Sequence, residues 1–553
     1  MTGYSTVTDA SASRSASGGI MVLQRRGRSP KMGGGQASMI SSNINLLNTI
    51  IGAGTLAMPS AMSHFGVTLG VILIVWCGLT SAFGLYLQAR CARYTDRGSS
   101  SFFALSQMTY PNAAVVFDAA IAVKCFGVGV SYMIIIGDLM PAVASAFGAD
   151  STGLAFLADR KFWITAFFLL FIIPLSFPKR LDSLKYTSVV ALVSIGYLVI
   201  LVVYHFTVDS RDQRGDVHLI TWEGPVAALS SLPVVIFAYT CHQNMFSILN
   251  EIKDNSPASI VAVIGGSIGS AASVYILVAI TGYLTFGDNV QGNIVGMYPA
   301  SIASTIAKAA IVILVTFSIP LQVHPCRASI DAVLRWRPGK NRPANLGIPS
   351  AASTAGTQPL LLPSSASSGS SATAGGGATL TTLDSHGAPV VAMSELRFAL
   401  ITSGILMLSY LTALNVSSLD RVLAYVGSTG STAISFILPG LFYYKISDPD
   451  SIHHQRLSKE DDDADYSADD DENVATAEDE VGEGSGGGLM EASIGSLRSV
   501  VSGRWRTGRR KWRWDLEHLE HGFLRKMALA LAVYGCCVMV ICLGMNMFFK
   551  AAH

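Results

Sequence analysis

Residues 48–62, NTIIGAGTLAMPSAM, place Asn48, Thr49, Gly52, Gly54, Thr55 and Pro59 inside an apolar stretch that runs from about Ser41 to Met62. Roughly 20 apolar residues is what a helix needs to cross a bilayer. Glycines weaken such a helix midway, and a proline has no backbone N–H to continue it. Irregular backbone at membrane depth is tolerated only where protein or a cavity satisfies it. The chemistry open to such a break is ion binding: freed amides at a half-helix N-terminus face a carboxylate, and freed carbonyls face a cation. Close packing by small residues would explain the glycines, but not the polar groups beside them. A second anomaly of the same kind lies in SLPVVIFAYTCHQNMFSILNE, where six polar-capable residues run from Tyr239 to Asn244 with Pro233 upstream.

Ionisable residues in apolar surroundings are the other candidates. Lys124 is the most conspicuous, since an unpaired charge at that depth costs roughly 3 kcal/mol or more. Asp118 stands six residues earlier, which is not the facing distance on a helix. Lys124 therefore pairs with another helix or snorkels to the interface. Asp138, towards the far end of the same segment, is a weaker candidate. His242 could carry a proton, because imidazole titrates near pH 6.5; the alternative is a structural hydrogen bond inside the bundle.

Eleven apolar segments are available to position these groups, at about 41–62, 67–89, 113–137, 160–178, 186–207, 226–249, 258–284, 301–323, 397–414, 421–444 and 527–549. Only 14% of the residues are charged, against about 25% in soluble domains, so lipid is the expected solvent. With the N-terminus cytosolic, 30 of the 38 Lys and Arg fall on the cytosolic side and 6 on the other, as the positive-inside rule requires. Three regions read as disordered and cytosolic: the tail 1–40, the Ser/Ala/Gly-rich loop 336–394, and the loop 446–523, which holds 19 of the 37 acidic residues. The membrane part is then 41–335 (spans 1–8), 395–445 (spans 9 and 10) and 524–553 (span 11). The acidic loop ends in RWRTGRRKWRW, residues 504–514. Next to a bilayer this reads as an interfacial anchor for anionic lipid rather than a nucleic-acid site.

The motifs exclude several functions. Lys is nowhere followed by Ser or Thr, so there is no Walker A loop. GGSIG, Gly265 to Gly269, matches a nucleophile-elbow pattern but falls inside an apolar span, where small residues serve close packing. The eight cysteines show no metal-ligand spacing and read as buried hydrophobes, and no triad, charged ring or filter loop appears. The chain is therefore not expected to be an enzyme, and what remains is a secondary transporter. Ten spans divide into two units of five, the second inverted, which makes span 6 the partner of span 1 and matches the two anomalous runs.

NTIIGAGTLAMP, SFFALSQMTYPN, IAVKCFGVGVSYMIIIGDLMP and FAYTCHQNMFSILNE resemble the amino acid/auxin permease family, nearest its fungal vacuolar members. The resemblance covers roughly residues 40–335 and 395–549. It implies an all-α polytopic membrane protein with 11 transmembrane helices, in a five-plus-five inverted-repeat (LeuT-like) fold plus one extra helix. It implies neutral or acidic amino acids as cargo at a vacuolar or other organelle membrane. The N-terminus is expected to be cytosolic and the C-terminus lumenal. Proton coupling is expected from the vacuolar members and sodium coupling from related animal carriers; no other cofactor is implied. In the family pattern Asn48 and a span-8 hydroxyl, Ser318 with Thr316 near by, line a cation site. The backbone of Gly52, Ala53, Gly54 and Thr55 would then hold the α-carboxylate, and Tyr239 and Thr240 would meet the amine or side chain. His242 would carry the proton, and Lys124 would carry one or stand in for sodium. An amino-acid sensor signalling through the long loops is the first rival reading, and a channel the second.

Overall fold

The computed structural model describes residues 37–95, 98–148, 155–178, 187–208, 214–335, 393–457 and 522–549. Among them the structure is helical, with one isolated parallel bridge between Ala37 and Ile252. In chain order the helices are α1 (Met39–Ile50), α2 (Ala53–Phe65), α3 (Val67–Ala92), α4 (Phe102–Thr109), α5 (Ala114–Ala146), α6 (Arg160–Phe167), α7 (Ile173–Ser176), α8 (Thr187–Val208), α9 (Pro225–Ala238), α10 (His242–Glu251), α11 (Pro257–Phe286), α12 (Ile294–Met297), α13 (Ile302–Arg335), α14 (Glu395–Asn415), α15 (Leu419–Val426), α16 (Leu438–Ile446) and α17 (Gly522–Phe548).

Nine helical segments among the described residues are long and apolar enough to cross a membrane. The expected spans 1 and 4 are not among the nine, each for a local reason. Span 1 is broken after Ile50 into α1 and α2. Span 4 joins the short α6 and α7 through a π turn, Phe168–Ile172. The segment at 419–446 is also irregular: α15 passes through two π turns, Gly427–Ser431 and Ala433–Ile437, before α16. Such turns are rare and favour functional sites.

The expected disordered regions lie mostly outside the described residues, as does the basic, Trp-rich stretch 504–514. The beginning of the acidic loop is described, and it is tied down. Arg525 donates to Asp448 at 2.6 Å, and Tyr94 Oη lies 3.1 Å from His454 Nδ1.

Packing follows the small residues. A Cβ on Gly266 would collide with the Asn43 amide, and Ser267 donates to Asn43 Oδ1 at 3.0 Å, so the GGSIG stretch seats α1 against α11. Gly430 plays the same part in the π turns, where a Cβ would meet Lys124 N and Cβ at 2.8 Å. The cysteines are free; six are buried and Cys536 and Cys537 are exposed on α17. Asp138 is paired with Arg160 at 2.9 Å, and Arg160 also donates to Ala413 O and Val416 O at 3.2 Å. That carboxylate joins helices at one end of the bundle.

Candidate functional site

The two anomalous runs are the two helix breaks. α1 stops at Ile50 and α2 starts at Ala53; α9 stops at Ala238 and α10 starts at His242. The breaks touch. A Cβ on Gly54 would lie 2.6 Å from Ala238 Cβ and 2.8 Å from its Cα, so only glycine permits this approach. Each break frees a carbonyl, and one residue serves both: Tyr275 Oη lies 2.7 Å from Ile50 O and 2.8 Å from Ala238 O. Its single proton is shared between the two acceptors. Asn244 on α10 donates to Thr49 Oγ1 at 2.9 Å, which ties α10 to α1.

Beside the breaks lies a cavity of about 530 Å3, within the range of small-molecule sites. Of the residues singled out in the sequence, Asn48, Gly52, Ala53, Gly54, Lys124, Thr240 and Ser318 stand on its wall. Ser318 Oγ donates back to Leu314 O at 2.8 Å, which keeps its oxygen lone pairs available. Thr55, Tyr239, His242 and Thr316 are not on the wall. The Tyr239 ring packs against Gly78 and edge-on to Tyr275 at 5.1 Å. Thr316 Oγ1 donates to Val312 O at 2.6 Å. Fully buried His242 lies one layer behind the wall, its Nε2 3.2 Å from Ser81 O.

The wall also holds residues that sequence reasoning passed over: Gln243, Asn244 and Ser247 of α10, with Gln322 and His324 of α13. The signal for the first three was present. Positions 243, 244 and 247 share one helical face, and the opposite face of α10 carries Met245, Phe246 and Leu249 in the core.

The electrostatics of this cavity are one-signed. The first amides of a helix have no partner within it and carry the positive end of its dipole. Gly52 caps α2 and Cys241 caps α10, neither with a side-chain hydrogen bond. Both helix N-termini therefore point at the breaks without a built-in counter-charge. Lys124, 4% exposed, adds a cationic side chain. No Asp or Glu stands on the wall, and Lys124 forms no ion pair among the described residues. A carboxylate is the complementary group.

The cavity lies to one side of the breaks. Its wall follows α1 back to Asn45, α10 forward to Ser247 and α13 forward to Pro325. On the other side the segment 214–224 is stitched across the helix ends. Val67 N and Thr68 N donate to His218 O and Leu219 O at 3.1 and 3.0 Å. His64 pairs with Glu223 at 2.6 Å and His218 with Asp288 at 3.1 Å. The turn beneath this segment needs Gly66, whose φ is +72° and whose Cβ would meet Thr221 O at 2.5 Å.

Comparisons with known proteins identify the family. The family model described as transmembrane amino acid transporter protein matches residues 35–461. The chain is 43% identical to vacuolar amino acid transporter 6 of Saccharomyces cerevisiae over 415 residues, covering 74% of this chain and 90% of that protein. It is 42% identical to vacuolar amino acid transporter 5 of Schizosaccharomyces pombe, covering 75% and 86%. Sodium-coupled neutral amino acid transporter 7 of Mus musculus is 27% identical, covering 55% and 66%. Among solved structures, that of MhsT in complex with L-phenylalanine aligns with 13% identity and a TM-score of 0.42, covering 75% and 90%. On the match across 35–461 and the identity to the fungal proteins, the chain belongs to the transmembrane amino acid transporter family.

Proposed function

We propose that the chain is a secondary active carrier that moves amino acids across the vacuolar membrane by alternating access, coupled to protons. One observation carries the reading: two uncapped helix N-termini and Lys124 surround a single cavity whose wall has no carboxylate. The amides of Gly52, Ala53 and Gly54 hold the substrate carboxylate, Lys124 balances its charge, and Thr240 meets the amine or side chain. Thr55 and Tyr239 support the two breaks from behind. A neutral or acidic side chain suits this wall, whereas a cationic one would meet Lys124 with nothing to offset the repulsion. The names of the fungal relatives support the amino-acid cargo and the vacuolar membrane.

In this reading the chain has eleven spans, ten in a five-plus-five inverted repeat and one added, with the N-terminus cytosolic and the C-terminus lumenal. The cavity then faces the cytosol, and segment 214–224 closes the lumenal side. His242 is the proton carrier. A sodium-coupled carrier is the second reading. It is favoured by the shared placement of Asn48 and Ser318 on the wall, hard oxygen ligands that suit sodium, while Thr316, two residues from Ser318, is off the wall.

The test is uptake of an amino-acid panel into proteoliposomes under imposed proton or sodium gradients, with counter-flow of labelled substrate. Proton-driven uptake of neutral or acidic amino acids with trans-acceleration is the expected result. Uptake that needs sodium and ignores a collapsed pH gradient would overturn proton coupling. Binding without trans-acceleration would overturn the carrier in favour of a sensor.

A further inference from the structure

Segment 214–224 ties the far end of α2 to the end of α11, and two histidines lie at its points of attachment. On the side of α2 and α3, Val67 N and Thr68 N donate to His218 O and Leu219 O, Thr68 Oγ1 donates to Leu219 O at 2.8 Å, and Glu223 N donates to His64 O at 3.3 Å. On the side of α11, Gly215 N donates to Phe286 O at 2.9 Å, Asp288 N to Asp216 O at 3.0 Å and His218 N to Tyr283 Oη at 2.9 Å. α2 is the half-helix beyond the break at Ile51 and Gly52. Its far end cannot swing away from α11 until this segment lets go.

Each histidine holds a carboxylate with one ring nitrogen and can take a proton on the other without losing a bond. His64 Nδ1 lies 2.6 Å from Glu223 Oε2. A carboxylate only accepts, so Nδ1 carries the hydrogen. Nε2 is then the basic nitrogen, on a side chain 26% exposed. His218 Nε2 lies 3.1 Å from Asp288 Oδ2, and the other oxygen of that carboxylate accepts from Tyr283 Oη at 2.9 Å. His218 Nδ1 is 3.1 Å from Thr221 Oγ1, a hydroxyl that donates to the neutral ring and accepts from the protonated one. Protonation therefore turns two hydrogen bonds into two ion pairs, and charge-assisted bonds are roughly twice as strong as neutral ones. The charged neighbours favour the change. The segment brings Asp216 and Glu223 against one cation, Arg214, and the turn after α11 brings Asp288. Asp420 of α15 abuts Gly292 beyond that turn. From α8 and α13, His205 stacks on Tyr298 and Lys308 donates to Tyr298 O at 3.0 Å, and the Tyr298 ring packs on Phe286.

We infer that these two pairs form a pH-sensitive latch: an acidic lumen charges His64 and His218, which hold α2 to α11 through segment 214–224 and keep the carrier closed on the lumenal side. This rests on the carrier and the orientation proposed above. The latched state binds the extra protons. Its share therefore grows as lumenal pH falls through the imidazole range, about 6.5 for an unperturbed ring, and shrinks as pH rises through it. None of His64, His218, Glu223 and Asp288 lies on the cavity wall. The latch thus sets how often the lumenal side opens and leaves the groups that bind the substrate untouched.

The experiment reads the release of α2 as the rate at which a membrane-impermeant maleimide labels a cysteine beside the latch. Ser63, 4% exposed and next to His64, is changed as Ser63→Cys; Ile220→Cys, at a position 82% exposed on the same segment, gives the reference rate. The ratio of the two cancels the titration of the thiol. In detergent solution of the full chain the ratio is expected to fall between about pH 8 and about pH 5.5, by about two- to fivefold for each pair, the range of a partly exposed ion pair. His64→Gln and His218→Gln keep an N–H for each carboxylate but gain no charge. Together they should leave the ratio flat at the value of the unmodified latch near pH 8. Glu223→Gln alone, which takes the counter-charge from His64, should remove the share of one pair and serves if the double variant does not fold. A flat ratio with the latch intact, or a fall that survives in the double variant, would overturn the inference. On intact vacuoles, labelling of Ser63→Cys by reagent in the cytosol would overturn the lumenal assignment and with it the role of the acidic lumen. The labelling needs no substrate, so a chain that shows the pH profile but no trans-acceleration loses the carrier reading and keeps the latch.

Discussion

Gly54→Ala and Gly54→Val probe the contact on which the site depends. A Cβ at position 54 would lie 2.6 Å from Ala238 Cβ and 2.8 Å from Ala238 Cα. Carbon atoms rest at roughly 3.5–4.0 Å, so the two broken helices must separate by about 1 Å. Overpacking of this kind costs about 1–3 kcal/mol, roughly 5- to 150-fold in the population of the arrangement that binds. Valine adds two methyl groups on a stiff β-branched side chain and should abolish transport. The amides facing the cavity are the first to move, since Gly54 lies within the first turn of α2. The assay is uptake of labelled amino acid into proteoliposomes, normalised to protein that elutes as a single species in detergent. Alanine should lower uptake by roughly 5- to 150-fold. Because Ala238 Cβ is the nearer atom, Ala238→Gly should restore part of the activity of Gly54→Ala, and less of Gly54→Val. Normal uptake by Gly54→Val at normal expression would refute the assignment of this break as the substrate site.

Tyr275→Phe removes the hydroxyl bonded to both break carbonyls; it should lower stability by about 1–3 kcal/mol, read as a reduced Tm in detergent, and an unchanged Tm would mean that the carbonyls are satisfied otherwise. Gly66→Ala forces a side chain onto a positive φ of +72° and into Thr221 O. It should destabilise by about 1–2 kcal/mol from the left-handed backbone alone, and proteolysis within 214–224 should become faster if that segment is held as described. Protease protection on intact vacuoles tests the topology: a C-terminal tag should be protected and an N-terminal tag digested, and the reverse for the C-terminal tag would make the odd span count wrong. Asn415 of the NVS sequon ends α14 with its amide donating to Leu411 O at 2.7 Å, so electrophoretic mobility should not change on treatment with a glycosidase.

What the sequence made legible was the conflict between composition and depth. A membrane helix has no reason to contain NTIIGAGT or YTCHQN unless it is broken there, and both breaks fall within those letters. The wall residues Gly52, Ala53, Gly54 and Thr240 follow directly from that conflict. Roles that depend on side-chain direction were not legible, because a broken turn has no fixed period from which to project a face. Tyr239 and Thr240 are adjacent, yet Tyr239 turns to Gly78 while Thr240 meets the cavity. His242 begins a new helix, and its direction is set by Ser81 of α3, 161 residues away. Tyr275 was invisible for the opposite reason. It sits in a regular apolar helix where a tyrosine is unremarkable, and its importance arises only when two distant carbonyls converge on one hydroxyl.

That convergence bears on how the carrier can move. α1 and α10 are joined by Asn244 to Thr49, and Ala37 is bonded to Glu251 and Lys253 at 2.9 Å on either side. The two half-helices on the cavity side are therefore tied along their length. α2 and α9 meet at Gly54 and Ala238, with Tyr275 bonded to the hinge carbonyls of both broken helices. Motion that closes the cavity is most cheaply made at the breaks, where no regular hydrogen-bond ladder has to be disrupted, with α1 and α10 swinging as one unit. Of the residues at the two joints, Ile51, Gly52 and Thr240 line the cavity. In the proposed carrier, binding and hinge thus share the same backbone, and a carboxylate engaging the amides of α2 would act directly on the joint that must turn.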